Sequence, residues 1–141
     1  LNYKNNINTV VGMFQKEVAE RICSSPKSKK YGIISVLIQA YYKAEILFHV
    51  KKENFKPQPR VESSIIKLTR NKVKKLNCNE DQFKSLIKLS FNQRRKKLKN
   101  ALKTKIIDLK NNNLDLLNKR AEELSVENFI TLTNLIYPNE S

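Results

Sequence analysis

Two stretches of this 141-residue chain gather side chains densely enough to do chemistry. The first is Phe91–Lys105, FNQRRKKLKNALKTK, which lies in a span with no acid between Asp81 and Asp108. On a helix turning about 100° per residue, Arg95, Lys96, Lys99 and Lys103 collect on one side, and Leu98, Ala101 and Leu102 lie opposite. A helix packed by one face and cationic on the other is a rail for phosphates, largely blind to base sequence. An ordinary solvated face is the alternative, and the charge density favours the rail. The second stretch is the loop Phe55–Ser63, FKPQPRVES. Pro57 and Pro59 fix φ and restrict their neighbours, so Phe55 sits on a stiff support flanked by Lys56 and Arg60. An aromatic so held can stack on an unpaired base. Most loop aromatics pack on their own domain, and the pattern alone favours that use.

The remaining candidates are weaker. His49 is the only histidine and lies in a strand-like run beside Phe48 and Val50, where a structural role is expected. Glu17 and Glu20, with Lys16 and Arg21, read as a solvated helix face. Cys23 and Cys78 match no ligand spacing and suggest no disulfide framework, which fits a reducing compartment. There is no metal cluster, nucleophile elbow, P-loop or GxGxxG, and the chain's 2 glycines could not build one. Binding is what remains. With 28 Lys+Arg against 13 Asp+Glu, the net charge of +15 repels itself unless a polyanion neutralises it. Nucleic acid or an anionic surface is the natural partner. The longest mostly apolar stretch, Gly32–Ala44, falls short of the ~20 apolar residues that span a bilayer. The polar, Asn-rich N-terminus does not read as a signal peptide, and it begins with Leu1 rather than Met.

The elements that must position these residues fall into two unlike halves. Thr9–Phe14 reads as a buried strand and Gln15–Ser24 as a helix stopped by Pro26. Gly32–Ala44 is apolar nearly all round, as in a helix covered on several sides of a layered α/β domain. Glu45–Val50 and Val61–Arg70 read as strands flanking the Phe55 loop. Residues 71–79 are a polar, basic linker. Beyond them Phe83, Leu86, Ile87, Ser90 and Phe91 mark one helical face, and Leu98, Ala101 and Leu102 mark another that continues to Ile106. A continuous helix would push Arg94 toward the core, so a break is expected near Asn92–Gln93, starting a new helix. Asn111–Asn113 reads as a turn. Ser125 reads as the N-cap of a last helix, Val126–Ile136, followed by Pro138.

Five blocks occur in order: Met13–Arg21 (MFQKEVAER), Tyr31-Gly32 with Ser35-Val36, Phe55-x-Pro57-x-Pro59-x-Val61-x-Ser63, Phe91–Lys96 (FNQRRK) and Arg120–Ser125 (RAEELS). Together, over nearly the whole chain, they resemble the small-subunit rRNA adenine dimethyltransferase family. Antibiotic-resistance rRNA methyltransferases share the Phe-x-Pro-x-Pro loop, and the Asn-Gln-Arg-Arg block and Arg-Ala-Glu-Glu-Leu-Ser tail point to the housekeeping branch.

The resemblance implies a Rossmann-like S-adenosylmethionine-dependent methyltransferase domain followed by a small helical domain. It implies dimethylation of two adjacent adenosines near the 3′ end of small-subunit rRNA during ribosome assembly. Such enzymes extrude the base from its stack. The loop aromatic flanks the target adenine in the family, so Phe55 inherits that role. The family's glycine-rich cofactor loop, acidic ribose-binding residue and Asn-Leu-Pro-Tyr motif are absent here, and by the resemblance they belong upstream of Leu1. The three strands would then be the fifth, sixth and seventh, with the seventh between the other two and antiparallel to both. The fifth would expose an open edge. A truncated or proteolysed product is the simplest expectation.

The expected fold is α/β: the C-terminal part of a methyltransferase domain over residues 1–70, a linker over 71–79 and a helical domain over 80–141. Phe55 is expected to stack on the substrate base with Pro57 and Pro59 as support. Lys56, Arg60, Arg94, Arg95, Lys96, Lys99 and Lys103 are expected to bind RNA. No catalytic, cofactor-binding or metal-binding residue is expected in this segment, since S-adenosylmethionine would be held upstream. The expected partner is small-subunit rRNA, with no membrane, for a cytoplasmic protein that is monomeric when intact. The competing reading is a non-catalytic basic RNA-binding module for ribosome assembly. A DNA-binding helical protein is a weaker third.

Overall fold

Runs of β-branched and aromatic residues form three strands: β1 (Thr9–Gln15), β2 (Tyr42–Val50) and β3 (Ser63–Arg70). The chain is described here by a computed structural model, which covers residues 1–103, 105 and 114–137. The strands lie in the order β1-β3-β2, all neighbours antiparallel. Thr9 faces Thr69 and Gln15 faces Ser63 on one side of β3, while Tyr42 faces Arg70 and Val50 faces Ser63 on the other. The last strand in sequence thus occupies the middle, as the resemblance implied.

Alternation along the strands gives the sheet two unlike faces. Val10, Phe14, Ala44, Ile46, Ile66 and Leu68 join the core beside α1 (Lys16–Ile22) and α2 (Ile33–Gln39). A Cβ on Gly12 would come within 3.2 Å of the Phe14 ring, so glycine makes room for that aromatic. On the opposite face Val11, Met13 and Phe48 are more than half exposed. Among the described residues β1 pairs with β3 alone, which leaves its outer edge open.

The helix expected over Gly32–Ala44 ends at Gln39, and Tyr42–Ala44 already belong to β2. An apolar run without a period cannot mark where a buried helix gives way to a buried strand. Strand β2 therefore begins before Glu45, and a bulge between Ile46 and Phe48 breaks its alternation. Strand β3 begins at Ser63 rather than Val61, and α1 ends at Ile22 rather than Ser24. Side chains lock α2 to the end of α1. The Gln39 amide donates to the carbonyls of Ile22 (2.8 Å) and Ser24 (2.7 Å). The Ser35 hydroxyl accepts the Gly32 N–H (3.0 Å) and donates to the Arg21 carbonyl.

Residues 71–79 form neither helix nor strand. Helix α3 (Glu80–Asn92) is capped by Asn79, whose side chain accepts the Gln82 N–H at 3.0 Å. It buries Phe83, Leu86, Ile87 and Ser90 and stops at Asn92, where the break was expected. Two single turns follow, α4 (Leu98–Ala101) and α5 (Leu114–Leu117), then a tight 3-10 turn at Ala121–Glu123. Helix α6 (Val126–Ile136) is capped by Ser125, which accepts the Asn128 N–H at 3.2 Å, and it buries Phe129 and Leu132. Ile106, Asn111–Asn113 and Pro138, each given a role above, lie outside the described residues. One hydrophobic core unites the two halves: Ala19, Val36 and Ile66 from the sheet side meet Phe83, Leu98, Leu124 and Phe129 from the helical side. Each such large side chain contributes about 1.5–3 kcal/mol by leaving water.

Candidate nucleic-acid interface

The Phe55 loop closes the β2–β3 hairpin. It starts with a short 3-10 turn at Lys52–Asn54, after which the Phe55 N–H donates to the Lys52 carbonyl at 3.2 Å. At its far end the Lys16 N–H donates to the Glu62 carbonyl at 2.9 Å, and Lys16 pairs with the Glu62 carboxylate at 3.9 Å. The loop's return is thereby anchored beside the start of α1. Between those anchors Lys56, Pro57, Gln58, Arg60 and Val61 are exposed, and Phe55 and Pro59 are half-buried. Phe55 is not among the aromatics packed against the core. The half-buried Phe55 thus belongs to the hairpin loop rather than to the core, with exposed Lys56 and Arg60 in the same loop.

The second sequence motif takes a different form from the one expected. Arg94–Lys97 is a turn, and among the described residues helical backbone is confined to Leu98–Ala101. A long-range contact explains this. Lys97 is extended (φ −63°, ψ 148°) and bridges antiparallel to Arg120, with the Leu98 N–H donating to the Lys119 carbonyl at 2.9 Å. On a helix, like charges four apart, Arg95 with Lys99 and Lys99 with Lys103, would also repel. Arg95, Lys96, Lys99 and Lys103 are all exposed, but they project from a turn, one helical turn and the residues after it, not from one helix face.

Arg94 is set apart from these neighbours. Its Nε donates to Glu122 Oε2 at 3.2 Å, and its Nη2 donates to the carbonyls of Ser28 (3.3 Å) and Lys29 (2.5 Å). The Glu122 carbonyl accepts the Lys27 N–H at 2.6 Å. Behind this knot the Tyr31 hydroxyl donates to the Leu124 carbonyl at 2.7 Å. The Tyr31 and Phe91 rings meet edge-on at 6.2 Å, and Phe91 lies 5.9 Å from Phe129. Burial pushes the Tyr31 phenol up to about 12, so the donor stays protonated. A groove of about 460 Å³ beside the knot is floored by Ile33, Ile34, Leu37 and Phe91 and rimmed by Arg21 and Arg94.

The other candidate residues take structural places. His49 Nδ1 lies 2.6 Å from the Ser64 hydroxyl across the β2–β3 pair. Glu17 pairs with Arg21 at 3.1 Å, and Glu20 pairs with Lys30. Burial raises the pKa of both the Cys23 and Cys78 thiols, which leaves them poor nucleophiles. Among the described residues no group of carboxylates, histidines and cysteines could hold a metal ion. No described helix is long and apolar enough to cross a membrane. Sequence reasoning missed Lys27, Lys29, Glu122 and Arg120. The run Lys27-Ser28-Lys29-Lys30 was a visible charge signal, whereas no local signal marks Glu122 as the partner of Arg94.

Solved structures place the fold. A dimethyladenosine transferase from Plasmodium falciparum superposes with a TM-score of 0.74 at 23% identity, covering 89% of this chain and 56% of the other. The 23S rRNA methyltransferase ErmE gives a TM-score of 0.53 at 19% identity, covering 92% and 55%. The mixed α/β fold, a three-stranded antiparallel sheet with helices, is thus shared with part of each of these chains. Residues 1–137 match the family described as "Ribosomal RNA adenine dimethylase", and the chain belongs to it. Curated relatives called "Ribosomal RNA small subunit methyltransferase A" agree. That of Phocaeicola vulgatus is 52% identical over 139 residues, covering 96% of this chain and 49% of its own length. That of Bacteroides thetaiotaomicron is 52% identical over 137 residues, covering 96% and 51%. The chain spans about half the length of the curated relatives it matches.

Proposed function

We propose that this chain is the substrate-handling part of an rRNA adenine dimethyltransferase that uses S-adenosylmethionine to place two methyl groups on each of two adjacent adenosines near the 3′ end of small-subunit rRNA. The observation that carries the reading is Phe55, placed outside the core on the hairpin loop that also bears the exposed Lys56 and Arg60. Stacking on a base is worth about 1–3 kcal/mol. A flat ring on a proline-stiffened loop holds an extruded adenine with little ordering left to pay for. Lys56, Arg60, Arg95, Lys96, Lys99 and Lys103 supply contacts to phosphates. Residues 1–70 serve as the back of the catalytic domain, 71–79 as linker and 80–141 as a helical domain. The reading expects a cytoplasmic monomer acting on assembling small subunits.

The residues described here do not fit the methyl donor. Gly12 sits in a strand against Phe14, Gly32 leads into α2, and neither has the positive φ of a nucleotide-cradling turn. No methyl-transfer step is therefore assigned to this chain, and the donor site is placed in the part of the longer relatives that has no counterpart here. The open edge of β1 and the exposed Val11 and Met13 support that placement. The chain alone should bind rRNA without methylating it, and methyl transfer from radiolabelled S-adenosylmethionine by the purified chain would overturn that assignment. In a full-length chain carrying these residues, Phe55→Ala should lower methylation at least tenfold, the loss of ~1.4 kcal/mol of stacking in the transition state. RNA affinity should fall much less. Equal losses in both would remove the stacking role.

A further inference from the structure

We infer that Arg94 is a positioning residue rather than a phosphate contact: it clamps the loop Ser25–Lys30 so that Lys27 and Lys29 extend the cationic turn Arg95–Lys97 into one surface for RNA phosphates. The inference rests on the RNA-directed reading above. Arg94 spends one donor on a carboxylate and two bonds on backbone carbonyls of the loop. Its side chain is 31% exposed, and the Glu122 carboxylate already answers its charge. A planar fork suits this three-way grip, and an ammonium on a flexible stem does not.

The loop shows the effect of that grip. Lys27 has φ 74°, in the left-handed region, where a lysine stays only when its surroundings fix it. Those surroundings are the Glu122 carbonyl on the Lys27 N–H and Arg94 on the next two carbonyls, those of Ser28 and Lys29. Burial holds little of the loop, because Ser25, Lys27, Lys29 and Lys30 are exposed and only Pro26 and Ser28 are partly buried. Lys30 is committed to Glu20. Among the described residues no carboxylate pairs with Lys27 or Lys29, nor with Arg95, Lys96 or Lys97. Arg120, bridged to Lys97 and exposed, borders the same surface. Three segments far apart in sequence thus bring unpaired cations to one place, and the bonds that hold them there are internal. A chain of phosphates is the partner such a surface fits.

The test is equilibrium binding of the chain to a fluorescein-labelled hairpin from the 3′ end of small-subunit rRNA, over a series of KCl concentrations. Each phosphate contact contributes about 0.7–0.9 to the slope of log affinity against log salt. Lys27→Gln with Lys29→Gln should flatten the slope by about 1.4–1.8. Arg94→Lys, which keeps the charge, should flatten it similarly and should add nothing in the double-lysine background. An unchanged slope in the double-lysine variant overturns the surface. A parental slope in Arg94→Lys, with Arg94→Ala losing about 0.7–0.9 in both backgrounds, makes Arg94 a phosphate contact instead. Should Arg94→Lys fail to fold by circular dichroism, Glu122→Gln replaces it and is read the same way. Absence of binding by the parent chain even at the lowest salt would instead defeat the RNA-directed reading itself.

Discussion

Phe55 and Arg94 sit in two regions held in opposite ways. Around Phe55 the chain is fixed only at the two ends of the loop, and the side chains from Lys56 to Val61 make no hydrogen bond or ion pair among the described residues. Around Arg94 the guanidinium is engaged by Glu122 and by the Ser28 and Lys29 carbonyls, and Tyr31, Phe91 and Phe129 pack behind it. Both regions carry a short motif and both carry cations. A side chain left free is one that meets a partner, whereas a side chain used up internally, as Arg94 is, sets the position of something else.

That contrast can be broken by measuring stability on each side of it. The largest loss is expected for Phe129→Ala: the ring is fully buried, and emptying its place should cost about 3–5 kcal/mol by urea denaturation. A loss under about 1 kcal/mol would mean that the junction is not the shared core described here. Tyr31→Phe is the finer probe, since it removes only the bond to the Leu124 carbonyl and should cost about 1 kcal/mol near neutral pH. It also carries a pH signature. The folded phenol titrates at about 12 and the unfolded one at about 10, so its contribution is complete below pH ~10 and is lost as pH rises toward 12. Parent and Tyr31→Phe should therefore converge over that alkaline window in paired melts. Parallel curves would remove Tyr31 as their cause. The smallest effect belongs to the other region: Phe55→Ala should change stability by less than ~0.5 kcal/mol. A loss as large as that of Tyr31→Phe would return Phe55 to ordinary packing and erase the contrast.

How much of this could be read from residues alone depended on the range of the forces involved. Strands β1 and β3 showed in their β-branched runs, and the stop at Asn92 showed because Arg94 fell on an apolar face. The Ser125 cap showed because a serine before an apolar helix has one obvious use. The passage from α2 into β2 was hidden, because Gly32–Ala44 is apolar whichever way it folds. The turn at Arg94–Lys97 was hidden for a different reason. Periodicity describes a helix in isolation, and here Lys97 answers to Arg120 and Arg94 to Glu122. The stiffness of the Phe55 loop was legible from its prolines, but the role of the ring came from family resemblance and not from the pattern. The Lys27–Lys30 run was visible as charge and silent as geometry, since what shapes it lies in segments far along the chain.

Among the described residues, β3 is the one strand paired with both β1 and β2, although it follows them in the chain. Among these three strands, β1 and β2 can pair only after β3 has followed them, and Thr9 meets Thr69 across that distance. Pairings this distant along the chain form slowly. The hairpin of β2 and β3 is local, so it can assemble as the ribosome releases it and then offer β1 a ready template. The loop bearing Phe55 is the bend of that hairpin, which makes the proposed base-stacking ring part of the first pairing available to these three strands.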